Sequence, residues 1–123
     1  MIDESRGPDG ALFSATFELE GVQFMALNAD PIFEFNEAVS FFVSCKDQRE
    51  VDEYWNKFLA GGGKEGNCGW LKDKWGVSWQ IVPTRLGELL GDEDPEKAQR
   101  VMQAMLKMRK IDVHGLERAY AGT

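Results

Sequence analysis

AVSFFVSCKDQREVDEYWNKFLAG (38–61) changes its hydrophobic period halfway along. Residues 38–45 form a strand-length run that is apolar on both faces, the pattern of a central strand. Residues 47–60 then place Val51, Tyr54, Trp55, Phe58 and Leu59 at helical spacing. Asp47 stands where a helix N-cap would, and Glu50 follows three residues later, a capping-box arrangement. Gly61 offers a left-handed stop. The reading is a strand followed by a helix whose aromatic stripe packs on a sheet.

Downstream, Gly61-Gly62-Gly63-Lys64-Glu65-Gly66 reads as a flexible link. It follows a helix, whereas a phosphate-cradling loop follows a strand and opens a helix. Residues 68–72 and 77–82 read as strands joined by the turn Asp73-Lys74-Trp75-Gly76, and Pro83 stops the second. Leu86, Leu89 and Leu90 mark a short helix ending at Gly91. Asp94-Pro95 opens the next, with Ala98, Val101, Met102, Met105 and Leu106 as its stripe. Lys107, Arg109 and Lys110 close it, where cations complement the helix dipole. Asp112 is placed to cap a last helix carrying Leu116, Ala119 and Tyr120.

Upstream, residues 1–10 are polar and contain the turn Gly7-Pro8-Asp9-Gly10, so a mobile start is expected. Phe13, Ala15, Phe17 and Leu19 alternate with polar residues over 12–20. Glu20-Gly21 turns the chain into a second strand at 22–29, which Asp30-Pro31 ends. Residues 33–36 form a loop too short for a domain linker. Antiparallel hairpins with helices gathered to one side give an α+β class.

The totals agree with one domain. The chain has 123 residues, 43% hydrophobic and 28% charged, and no apolar run of membrane-spanning length. Its first residues lack a signal-peptide pattern, so a cytoplasmic location is expected. A net charge of −7 without a basic block argues against nucleic acid as a partner. Two separated cysteines and a single histidine build neither a disulfide framework nor an ordinary zinc site. No glycine-rich strand-to-helix loop is present for a nucleoside cofactor.

FELEGVQFMALN (17–28), FEFNEAVSFFVSC (33–45), GNCGWLKDKWGVSWQIVP (66–83) and the tail DPEKAQRVMQAMLKMRKID (94–112) together resemble the PhnB-like branch of the vicinal-oxygen-chelate superfamily. This branch is often described as 3-demethylubiquinone 3-methyltransferase-like, and its wider relatives include glyoxalases, ring-cleaving dioxygenases and antibiotic-binding resistance proteins. The resemblance implies β-α-β-β-β modules that curl around a cavity. It places a partial first module at 12–36, a second at 37–83 and C-terminal helices at 84–123, with the opening strand and helix of the first module lacking. On that reading the strand at 12–20 carries an unpaired edge and a bare face. A second copy of the chain is then the expected cover, giving a homodimer.

The resemblance also locates metal ligands, and here those positions fall on Gln80, about on Ala38 and about on Asn28. Alanine has no donor and a glutamine amide is a weak one, so no metal and no other cofactor is expected. If Gln80 faces the cavity, strand alternation puts Ser78 and Val82 beside it, with Val77, Trp79 and Ile81 facing the helices. By the same rule Ser40 and Phe42 share a face with Ala38, Phe24 and Ala26 share one with Asn28, and Cys68 and Trp70 point together. Phe24, Asn28, Ser40, Phe42, Cys68, Trp70, Ser78 and Gln80 are therefore the candidate lining for a small, partly apolar organic ligand. No catalytic residue stands out, since Cys68 has no nearby base in the sequence. Two alternatives remain open: an enzyme of glyoxalase, dioxygenase or methyltransferase type, and a purely structural interaction module.

Overall fold

In the computed structural model, which describes residues 1–123, the chain divides into two units, Met1–Glu34 and Phe35–Thr123. The first is a three-stranded antiparallel sheet of β1 (Asp3–Arg6), β2 (Leu12–Leu19) and β3 (Val22–Leu27), with β2 in the middle. The expected mobile start thus contains a strand. Its four residues are polar and all exposed, so no side-chain periodicity betrays it. Backbone pairing defines it instead, with Asp3, Glu4 and Ser5 opposite Thr16, Ala15 and Ser14. This corrects the expectation for residues 12–20, because β2 is paired along both edges and the open edges belong to β1 and β3.

The β2–β3 hairpin turns at Glu20 and Gly21, with φ of 49° and 81°. Two positive φ values give the mirror-image turn whose twist suits a two-residue hairpin. Ala15 faces Ala26 and Phe17 faces Phe24, and the two rings stack at 5.7 Å. Phe13, Leu19 and Val22 share this parity, yet each is more than half exposed.

The second unit carries a complete β-α-β-β-β run: β4 (Ser40–Cys45), α1 (Gln48–Ala60), β5 (Lys64–Glu65), β6 (Trp70–Lys72) and β7 (Ser78–Pro83). Its sheet has the order β4-β7-β6-β5. The β4–β7 pair is parallel, which requires a crossover, and α1 begins it; the other pairs are antiparallel. The expected central position of residues 38–45 is therefore wrong: β4 lies at the edge and β7 takes the centre. The run reads as apolar on both faces because Val43 and Cys45 pack towards α1, whereas Phe42 on the other face stays 62% exposed. The glycine-rich stretch is also more ordered than expected, since Lys64 and Glu65 pair with Lys72 and Leu71.

Helix α1 starts where its cap predicts. Asp47 accepts from the Glu50 N–H at 2.9 Å, and the Glu50 carboxylate reaches back to the Lys46 N–H at 3.3 Å, one residue before the usual capping-box donor. Val51 and Trp55 are buried with Cys45, Leu71 and Ile81, and Phe58, Leu59, Val43 and Trp79 complete that cluster. Tyr54 lies at the rim of the stripe, 40% exposed. The stop falls one residue later than expected. Gly61 has φ −80°, and Gly62 carries the left-handed conformation at φ 100°. The Gly62 N–H bonds Leu59 O and the Gly63 N–H bonds Phe58 O, the double closure of a Schellman motif.

Three further helices, α2 (Thr84–Leu90), α3 (Pro95–Met105) and α4 (Val113–Ala121), bury Leu86, Leu89, Val101 and Leu116 with Val82 and Ile111. Asp94 caps α3 through the Glu96 N–H, with Pro95 in the first helical position. Lys107, Arg109 and Lys110 lie beyond the end of α3 rather than inside its last turn. Two of them bind elsewhere: Lys110 pairs with Asp52 at 2.8 Å and Arg109 with Glu65 at 3.6 Å. Asp112 occupies the N-cap position of α4 but makes no side-chain cap bond. Gln48, from the first turn of α1, does that work. Its Oε1 accepts from the Val113 N–H at 2.7 Å, and its Nε2 donates to Ile111 O and to Asp52, both at 3.0 Å.

Gln48→Ala is expected to cost about 1–3 kcal/mol in urea unfolding, because it leaves part-buried backbone groups of 111–113 unpartnered. Asp112→Ala should stay within about 0.5 kcal/mol of wild type. The thiols should also separate. Cys45 is fully buried, and its removal from water pushes its thiol up to about 11, helped by the nearby Glu50 carboxylate. Labelling with a thiol reagent at pH 8 should modify Cys68 in the native chain and Cys45 only after denaturation.

Candidate functional site

The register of the four-stranded sheet sorts its side chains into two faces, because partners across a ladder point the same way. Val43, Cys45, Ile81 and Leu71 lie on the face covered by α1. The other face carries two transverse rows. One runs Ser40 (β4), Ser78 (β7), Lys72 (β6), Lys64 (β5). The next runs Phe42 (β4), Gln80 (β7), Trp70 (β6). Five of the eight sequence-derived candidates, Ser40, Phe42, Trp70, Ser78 and Gln80, thus share one face of one sheet.

Cys68 does not join them. It precedes β6, in a left-handed conformation at φ 59°, and its N–H bonds Met108 O at 2.8 Å. Gly69 continues the corner at φ 85°, where an added Cβ would lie 3.0 Å from Ile81 O and from Ile111. Strand alternation therefore cannot carry from Trp70 back to Cys68. Val82 also departs from the expected grouping, because its end of β7 is covered by α2–α4.

Phe24 and Asn28 belong to the first unit. Phe24 is engaged with the Phe17 ring. Asn28 closes the open end of the hairpin: its N–H bonds Phe13 O at 2.7 Å and its Nδ2 donates to Leu12 O at 3.0 Å. That amide already has a structural task.

A cavity of about 310 Å³ opens along the Ser78–Lys72–Lys64 part of the first row, lined by Glu37, Lys64, Glu65, Gly66, Trp70, Leu71, Lys72 and Ser78. Its size lies at the lower end of the range for small-molecule sites. Ser78 is 1% exposed, and its hydroxyl has no hydrogen-bond partner. Such a group is costly to bury unless something binds it, about 1–3 kcal/mol. The Lys72 ammonium pairs with Glu37 and holds that carboxyl below the ordinary carboxylate range. Glu65, although beside the cavity, directs its carboxylate to Trp55 Nε1 at 3.4 Å and to Arg109. Along the second row, Gln80 Nε2 donates to Ser40 Oγ at 3.0 Å and so bridges the two rows.

Glu37, Lys64 and Lys72 were absent from the sequence-derived lining. Lys72 stands two residues from Trp70, so alternation along β6 already pointed to it. Lys64 required the unexpected strand β5, and Glu37 lies in a loop with no periodicity.

The donors do not fit a divalent ion. Ala38 offers no side-chain donor, and the Gln80 and Asn28 amides supply one neutral oxygen each, where a hard divalent ion needs several oxygen ligands. Nowhere do three or more His, Cys, Asp or Glu side chains group so as to hold a metal ion.

The family model for 3-demethylubiquinone-9 3-methyltransferase matches residues 1–82. Among solved structures, the chain is similar to a PhnB protein from Bacillus cereus, provisionally named a 3-demethylubiquinone-9 3-methyltransferase. The two share 31% identity over 67% of this chain and 77% of that one, with a TM-score of 0.55. No curated protein matches. The two sheets and four helices agree with the glyoxalase-like architecture, and no helix is long and apolar enough to cross a membrane. The chain belongs to the PhnB-like, 3-demethylubiquinone-9 3-methyltransferase-like family.

Proposed function

We propose that this PhnB-like chain binds a small organic ligand on the Ser40–Ser78–Gln80 face of its second sheet, as a homodimer and without a catalytic metal. The observation that carries this reading is the buried Ser78 hydroxyl, unpartnered at the wall of the cavity. A purely structural face would gain by replacing it with an apolar side chain, whereas a binding face uses it to hold a polar group of the ligand. Self-association is supported by apolar side chains left in water: Phe13, Leu19 and Val22 in the first unit, Val39 and Phe42 in the second. The open edge of β4 adds unpaired backbone groups. The metal-free reading rests on the donor set at Gln80, Ala38 and Asn28. A methyltransferase or other enzymatic activity would act on this same face, and an interaction module would leave the cavity without a small-molecule occupant.

Ser78→Ala separates these readings. In the ligand-free protein it should leave stability unchanged or raise it by up to about 2 kcal/mol in urea unfolding, because it removes an unsatisfied group. In a ¹⁵N NMR screen of aromatic fragments, wild type should show shifts at Trp70, Lys72 and Ser78, and the variant should bind the same fragments more weakly. A screen in which no fragment moves these signals contradicts the ligand reading. A monomer in sedimentation equilibrium at high concentration contradicts the dimer, and tight stoichiometric binding of a divalent ion in titration calorimetry contradicts the metal-free site.

A further inference from the structure

The two rows on the open face differ in chemistry, and their order has a consequence. The row Phe42–Gln80–Trp70 offers aromatic surface and one amide. The row Ser78–Lys72–Lys64 offers a hydroxyl and two ammonium groups. Neighbouring strands lie about 4.8 Å apart, and residues two apart along a strand are separated by about 6.6 Å. A ring resting on Trp70 therefore has the hydroxyl and the ammonium groups one step away.

Lys64 and Lys72 face each other directly across the β5–β6 ladder. Like charges in that position repel and destabilise a sheet pair. Only one carboxylate offsets them. Glu37 pairs with Lys72, and the other nearby carboxylate, Glu65, is held by Trp55 and Arg109. Lys64 is left without an ion-pair partner, beside a cavity whose buried hydroxyl is also unpartnered. One ligand group would engage both side chains: an anion that accepts a hydrogen bond from Ser78 and lies near the two ammonium groups.

Resting on the ligand-binding reading above, we infer that the ligand is an aromatic organic anion. Its ring lies along Trp70 and its negative group along Ser78, Lys72 and Lys64. Glu37 competes with that group for Lys72, so the carboxylate limits affinity rather than contributing to it.

Three probes of one shape test this: 2-naphthoate, its neutral amide 2-naphthamide, and the cation 2-naphthylmethylammonium, each titrated into the full chain by ¹⁵N NMR. The naphthoate should bind tightest and shift Trp70 and Ser78, with an affinity that falls as salt rises. Lys64→Gln should weaken the naphthoate about two- to fivefold and leave the amide unchanged, the range of an exposed charge pair. Glu37→Gln should move in the opposite direction, tightening the naphthoate by a similar factor. Opposite effects of two exposed substitutions would not come from a general loss of structure. If the amide binds as well as the naphthoate, or both variants leave the naphthoate unaffected, the anionic class is wrong while the ligand-binding reading stands. If none of the probes reaches Trp70 or Ser78, the inference and the reading beneath it fail together.

Discussion

Strand β7 is the constraint on which the second unit depends. It is bonded on one edge to β4, in parallel, and on the other to β6. Ile81 is fully buried against the α1 cluster, Val82 sits in the cluster of the C-terminal helices, and Ser78 is buried beside the cavity. A strand held this way has one permissible register. A slip by a single residue would turn Ile81 and Trp79 out of the α1 core and drive Gln80 into it. The positions of Ser78 and Gln80 on the open face are thus by-products of where Ile81 must go.

The same packing explains why the cavity lies at one end of that face. Its Val82 end is covered by α2–α4, and the cavity lies towards the Ser78 end. Gln48 reinforces the closure by tying the first turn of α1 to the backbone at Ile111 and Val113. Cys68 and Gly69 contribute from another side, their N–H groups bonded to Met108 O and Arg109 O. The segment from Met108 to Val113 is therefore stitched both to α1 and to the start of β6. These bonds fix the corner from which Trp70 enters the sheet.

Much of the architecture was written in local patterns. The α1 stripe of Val51, Trp55, Phe58 and Leu59 is legible because helical spacing and burial coincide there. The hairpin at 12–27 is legible because an alternating pattern flanks a two-residue turn. Where local pattern was silent or double-valued, the reading failed. The polar strand β1 has no hydrophobic face to mark it. The apolar run at 38–45 looks central, yet one of its faces is simply exposed. Gly61 and Gly62 are chemically equivalent candidates for the left-handed stop, and hydrogen bonding to Phe58 and Leu59 chose the second.

The candidate site follows the same division. The sequence by itself determined which side chains alternate on each strand, and hence that Ser78 and Gln80 go together, as do Ser40 and Phe42. It also determined the family, through motifs spread along the chain. Only the tertiary structure decided which strands are neighbours and in what register, and so that Ser40, Ser78, Lys72 and Lys64 form one row. Only it showed that Cys68 leaves the strand and that the Asn28 amide is spent on Leu12. The reason is physical. Alternation is a property of one backbone, read within a few residues, whereas a row across a sheet exists only once hydrogen bonds join segments distant in the chain.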